Sequence, residues 1–224
     1  MTELAQRKKP DAPQPHRGQE AAKRLIDFSL SLALIVIVSP LLLLLWCLVR
    51  LTSSGPAFFR QERVGRNMRS FTMLKLRTMY VDNHDQIHRN YVTHLLSADK
   101  PTAAGENGLF KLEQDPRVTR LGAWLRRTSL DELPQLFNVL RGEMSLVGPR
   151  PVLPWEAELF EERYRKRFGV KPGISGLWQV SGRSKLTMRE ALELDIEYAD
   201  RQSLALDLSI ILRTVPAIFG GGAR

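Results

Sequence analysis

Two adjacent acids, Asp131 and Glu132, form the pair best suited to do chemistry in this chain. They belong to Ser129-Leu130-Asp131-Glu132, an S-x-x-E pattern. As a capping box, Ser129 starts a helix, Glu132 returns the bond and Asp131 complements the helix dipole. A second reading gives the same residues a reaction. Arg126 and Arg127 precede the pair, and Arg141 and Arg150 follow it. A carboxylate at a helix N-terminus beside arginines stays ionised, because both influences favour its charged form. Such a carboxylate serves as a nucleophile or as a metal ligand. Neighbouring helical residues point about 100° apart, so the two acids are expected to do different jobs rather than share one proton.

Further segments offer polar groups. Gly148-Pro149-Arg150-Pro151 is a rigid turn that presents an arginine, whose fork suits phosphate oxygens; a surface turn with a solvated arginine has the same spacing. Residues 172–183 carry three glycines, which permit close backbone approach to a ligand, with Gln179 and Arg183 as polar contacts. Their spacing is neither a P-loop nor a dinucleotide fingerprint. His84-Asp85-Gln86-Ile87-His88 imitates a zinc motif with Asp in place of Glu, but no third ligand is near and a polar helix face accounts for it. Cys47, the only cysteine, lies in an apolar run and reads as packed or lipid-facing; an intrachain disulfide is excluded.

These groups must be positioned by a chain of 224 residues with 43% apolar and 25% charged content, which excludes a wholly disordered protein. The net charge of +9 favours an anionic partner: nucleic acid, acidic headgroups or a phosphorylated substrate. Residues 1–22, polar and proline-containing, read as a disordered tail. No charge falls between Phe28 and Val49, and about 20 apolar residues suffice to span a bilayer. The run exceeds a signal-peptide core and lacks a cleavage site. Pro40 interrupts it, and the Ser39 hydroxyl is placed to bond a freed carbonyl. Lys23 and Arg24 stand before the run; Arg50, Arg60, Arg63 and Arg66 follow it. Positive charge on both flanks favours a hairpin with both ends inside over a kinked single span.

The remainder, residues 51–224, reads as a catalytic domain. Residues 57–64 and 70–79 form a β-hairpin around 65–69. Helices are expected at 81–98, 117–127, 130–140, 155–168 and 187–202, the last opened by the capping box Thr187-x-x-Glu190. Residues 99–108 and 172–183 read as loops. The apolar face of 155–168 (Trp155, Leu159, Phe160, Tyr164, Phe168) suits either a core or a membrane surface, as does 204–219. The expected fold class is α+β, mainly α: a re-entrant membrane helix hairpin over 23–50, plus a small cytosolic catalytic domain with a β-hairpin and amphipathic interfacial helices.

A series of motifs carries a family resemblance. In order they are Lys23-Arg-Leu-Ile-Asp27 leading to Ser39-Pro40; Lys75-Leu-Arg-Thr-Met79; Asp115-Pro-Arg-Val-Thr119; the segment from Leu125 through Asp131-Glu132-Leu-Pro-Gln-Leu; the segment from Asn138 to Pro151; Pro172 to Arg183; and Asp195 with Tyr198. The sequence resembles the bacterial sugar transferases, the monotopic polyprenyl-phosphate phosphoglycosyl transferases. It is most like their short, exopolysaccharide-initiating members, without the N-terminal bundle of spans found in longer ones.

The resemblance implies transfer of hexose-1-phosphate from a UDP-sugar (glucose or galactose type) to undecaprenyl phosphate, with release of UMP, at the cytoplasmic face of the bacterial inner membrane. Asp131 would be the nucleophile, giving a covalent aspartyl-phosphosugar intermediate, and Glu132 would bind Mg²⁺. Arg126 and Arg150 would hold phosphates. Lys75, Arg77, Gln179 and Arg183 would line the site, Asp195 would help orient it, and Ser39-Pro40 would break the membrane helix. Membrane lipids are implied partners, and a homodimer is compatible. A membrane-tethered nucleic-acid binder is the alternative of another class, but no nucleic-acid motif is visible and the basic residues are spread along the chain. A glycosyl transferase that releases UDP is the alternative reaction.

Overall fold

A computed structural model describes residues 17–80, 93, 117–182 and 186–219, with backbone alone for 17 and 215–219. The expected helix at 81–98, the loop at 99–108, the His84/His88 pair and Arg183 lie outside the described residues.

Helix α1 spans Arg17–Thr52. It begins inside the segment expected to be a tail: Gln19 through Ala22 are helix formers, and Glu20 in the first turn pairs with Arg66 at 2.6 Å. The helix continues through Pro40 without the break expected at Ser39-Pro40. Proline removes the bond to the carbonyl four residues back, that of Val36, and the Ser39 hydroxyl donates to that carbonyl at 2.8 Å. The most apolar eighteen-residue window has a mean hydropathy of 2.9 and is 11% buried, so the helix is long and apolar enough to cross a membrane. Val36, Ile37, Leu43 and Leu44 are exposed.

Both ends of α1 are seated on the domain that follows. At the N-terminal end, Lys23 donates to the Val147 carbonyl, Arg24 donates to the carbonyls of Val139 and Leu140, and Asp27 accepts from Leu146 N. At the C-terminal end, Leu45 and Val49 are buried with Ala57, Leu76 and Leu125.

The hairpin forms as expected: β1 (Phe58–Val64) and β2 (Ser70–Leu76) pair antiparallel, with Val64 opposite Ser70 and Phe59 opposite Lys75. The turn between them places Asn67 at φ 56°, a conformation asparagine tolerates. Alternation splits β2. Leu76 faces the end of α1, whereas Met73 packs with Val139 and Met144. Past the strand, Thr78 and Tyr80 bond Thr119 and Arg117, which docks α2 (Arg120–Arg127). Thr119 caps α2 by accepting from Gly122 N at 2.8 Å. A Cβ on Gly122 would fall 2.1 Å from the Thr78 carbonyl oxygen, so only glycine permits this approach.

The expected helix over 130–140 is split. A 3-10 turn covers Leu130–Glu132, and α3 begins only at Gln135 and ends at Arg141. Pro134 accounts for the break: Leu133 before it stays helical, but proline has no N–H to bond the Leu130 carbonyl four residues back. The expected helix over 155–168 is also divided, into α4 (Pro154–Leu159) and a 3-10 segment, Glu162–Gly169. Phe160, Tyr164 and Phe168 are buried in a core cluster with Trp178, Met188 and Leu192, so these three side chains serve the core, whereas Leu159 is exposed.

Most of the loop expected over 172–183 is regular secondary structure within its described part, residues 172–182. Here β4 (Gly173–Ser175) runs parallel to β3 (Ser145–Val147), and α5 covers Leu177–Ser181. Helix α6 (Met188–Arg201) opens with the expected capping box, Thr187 accepting from Glu190 N at 3.1 Å. Helix α7 (Leu204–Phe219) buries Asp207 and Ile210 while leaving Leu204, Leu208 and Leu212 outward.

Candidate active site

The acids are positioned by how α2 ends. Ser129 adopts a left-handed conformation (φ 56°) and its N–H bonds back to the Arg126 carbonyl, closing the helix. Its side chain makes no cap bond, so Ser129-x-x-Glu132 is not a capping box. The left-handed residue starts the 3-10 turn that carries both acids. Asp131 is buried, at 2% exposure, while Glu132 is half-buried and lines a cleft. The two carboxylates therefore occupy different surroundings.

The space free of protein atoms in the cleft, open solvent at its mouth included, is about 230 Å³. Lys75 and Met73 project into it from one face of β2, joined by Gln135, Arg150, Pro151 and Gln179. Lys75 Nζ lies 2.9 Å from Glu132 Oε1, an ion pair between two largely covered side chains. Arg126 reaches the strand side, its Nε donating to Thr78 Oγ1 at 2.9 Å.

Arg77 is placed elsewhere. The strand ends at Leu76, so the two-residue alternation that would put Arg77 beside Lys75 is lost. Its guanidinium binds the carbonyls of Val49, Ser53 and Pro56, joining β2 to the end of α1. Burial, and to a lesser degree Arg50, lower its pKa.

The glycines of the 148–151 turn and of residues 173–176 pack backbone against backbone rather than leaving room for a ligand. A Cβ on Gly148 would lie 2.2 Å from the Lys171 carbonyl oxygen, and one on Gly173 would lie 2.0 Å from Gly148 N. Asp195 is buried outside the cleft and takes Arg167 Nη2 at 2.5 Å and Nε at 3.1 Å. Burial raises its pKa against the pull of Arg167 and Arg150.

Two residues in this scaffold were given no role from sequence. Asn138 accepts from Leu74 N at 3.0 Å and donates to the Thr72 carbonyl at 2.7 Å, tying α3 to the strand that carries Lys75. Arg167 follows Phe160 by seven residues, a spacing that places it on the buried side. A polar residue on an otherwise apolar helical face is the signal that would have flagged both.

The sequence profile of the bacterial sugar transferase family matches residues 18–221, and the chain belongs to that family. It is 39% identical over 198 residues to the exopolysaccharide production protein ExoY of Sinorhizobium fredii, covering 88% of this chain and 85% of that protein. It is 39% identical over 218 residues to a UDP-glucose:undecaprenyl-phosphate glucose-1-phosphate transferase of Caulobacter vibrioides, covering 94% and 74% respectively. It is 38% identical over 203 residues to an undecaprenyl-phosphate galactose phosphotransferase of Salmonella typhimurium, covering 90% of this chain and 41% of that protein. The chain thus spans about two fifths of the length of several relatives it matches.

Proposed function

We propose that this chain is a phosphoglycosyl transferase that moves hexose-1-phosphate from a UDP-sugar to undecaprenyl phosphate and releases UMP, the first membrane step of exopolysaccharide or other glycoconjugate synthesis. The observation that carries the reading is the placement of Asp131 and Glu132 on one short turn, between Arg126 and a cleft lined by Lys75 and Arg150. The names of relatives, glucose- and galactose-phosphate transferases to undecaprenyl phosphate, support the substrate class.

In this reading an Asp131 carboxylate oxygen attacks the sugar-bearing phosphorus. The bond to the UMP oxygen breaks and UMP leaves with the electron pair. An oxygen of the lipid phosphate then attacks the same phosphorus and displaces Asp131. The low exposure of Asp131 suits a phosphorylated carboxylate that must be passed to lipid rather than hydrolysed. Arg126, Arg150 and Lys75 offset the charge that gathers when two anionic substrates meet a carboxylate.

Among the described residues no three His, Cys, Asp or Glu side chains form a metal cluster. Mg²⁺ is commonly held by one or two carboxylates plus substrate phosphates, so it does not require such a cluster. Glu132, facing the cleft, offers the oxygen donor, and Lys75 holds it in place. When bound, Mg²⁺ would neutralise diphosphate charge. The seating of both α1 ends on one domain supports a helix that enters and leaves the membrane on the cytoplasmic side.

The test incubates the purified protein with Mg²⁺, undecaprenyl phosphate and a panel of UDP-sugars. UMP release with a glucose- or galactose-type donor is expected, with almost none from Asp131→Asn. Without acceptor, mass spectrometry should find a hexose-phosphate adduct on Asp131. UDP as the product would overturn the reaction, and salt-dependent DNA retention without turnover would favour the nucleic-acid alternative. Cysteine labelling at both flanks of α1 should reach both from the cytoplasm; labelling on opposite faces would overturn the hairpin.

A further inference from the structure

The turn that presents Arg150 is held by its carbonyls. Its two prolines have no N–H; Gly148 N donates to the Ser175 carbonyl at 2.8 Å, and carbonyls in and beside the turn accept further bonds. The Val147 carbonyl receives Tyr198 Oη at 3.0 Å, and the Pro149 carbonyl receives Gly173 N at 2.9 Å. The Pro151 carbonyl receives Arg63 Nη1 at 3.2 Å. The carbonyl of Arg150 itself receives Arg167 Nη2 at 2.7 Å.

Arg167 is built for that contact. It is 3% exposed, and its guanidinium lies 5.4 Å from the ring centres of both Phe160 and Phe168. Nε and Nη2 grip one oxygen of Asp195, itself 2% exposed. A buried ion pair is weak evidence for stability, because desolvation consumes much of its attraction. Retaining one behind a functional turn instead points to geometry. Arginine's planar fork can bond a carboxylate and a carbonyl at fixed angles, which a lysine ammonium does not reproduce.

We propose that Arg167, aimed by Asp195, is a positioning residue that fixes Arg150 for phosphate binding. This rests on the transferase reading above. Arg167 touches no substrate; its effect passes through the Arg150 backbone. The perturbation should therefore fall on phosphate recognition and vanish when the Arg150 side chain is absent.

The test is a double-mutant cycle on UMP release, using Arg167→Lys, Arg150→Ala and the double variant, with thermal midpoints recorded for each. Arg167→Lys alone should lower kcat/KM by about tenfold or more, mainly through a higher KM for the UDP-sugar. In the Arg150→Ala background it should change kcat/KM less than about twofold. Where Arg167→Lys lowers the yield of folded protein, Asp195→Asn, which keeps the shape of the buried partner though it also withdraws a charge near Arg150, carries the same cycle with the same expectation. Equal losses in both backgrounds would overturn the inference and leave the transferase reading intact. A wild-type protein that releases no UMP from any donor would instead overturn the transferase reading.

Discussion

Replacing Asn138 with alanine tests how β2 is held in place. The side chain is fully buried and makes three bonds: from Leu74 N, to the Thr72 carbonyl and to Glu143 Oε2. Truncation leaves the Leu74 N–H and the Thr72 carbonyl without these partners, at about 1–3 kcal/mol each. Glu143 is half-buried and can turn to water, so it adds little. The expected loss is about 2–6 kcal/mol, a large part of the 5–15 kcal/mol typical of a domain. Denaturant unfolding in detergent measures it, and hydrogen exchange at the Leu74 amide should accelerate in step. Asn138→Asp keeps an acceptor for Leu74 but turns a carboxylate toward the Thr72 carbonyl and Glu143. Its stability should recover on acidification, as the new carboxyl gains a proton. An alanine variant within about 0.5 kcal/mol of wild type would refute this account of how α3 holds the strand.

Gly122→Ala places a methyl 2.1 Å from the Thr78 carbonyl oxygen, backbone against backbone. It should cost about 2 kcal/mol or more and depress UMP release by shifting Arg126, read by thermal unfolding beside the activity assay. Tyr198→Phe removes a hydroxyl that bonds the Val147 carbonyl and Asp207, for a loss of about 1–3 kcal/mol at neutral pH. Burial, then the Asp207 charge, raise the Tyr198 pKa well above 10.0. Between those two values the unfolded chain releases the proton first, so stability falls as pH rises, and Tyr198→Phe should flatten that decline in unfolding midpoints taken above about pH 10. The two S/T-x-x-E patterns should separate cleanly. Thr187→Ala should cost about 1 kcal/mol through its lost cap, whereas Ser129→Gly, at φ 56°, should be neutral or stabilising by up to about 1 kcal/mol, both read by thermal unfolding.

What the sequence disclosed was local. The hairpin follows from alternation over 57–64 and 70–79, and α6 follows from a capping box whose bonds form where the pattern places them. The cleft was legible in Lys75, Glu132, Arg150 and Gln179, named through motifs quoted from distant parts of the chain. The failures are places where tertiary contacts override a local rule. Ser129 resembles a cap, yet α2 has just ended and needs a left-handed closing residue. Arg77 shares the parity of Lys75, yet the strand stops one residue earlier. The glycines of residues 173–176 resemble a ligand cradle, yet the partner they admit is the backbone of Gly148.

The seating of α1 also bears on the order in which the molecule is made. Arg24 precedes its carbonyl partner at Val139 by 115 residues, and Lys23 precedes Asp207 by 184. On a ribosome that adds about 5–20 residues per second, these cations leave the exit tunnel several seconds before anything they hold exists. In the membrane-anchored reading proposed above, anionic headgroups would be the counter-ions of Lys23 and Arg24 during that interval, and the domain would close onto the helix afterwards. The N-terminal end of α1 would thereby be both among the earliest parts to find its place and, through Asp207, among the last to be locked.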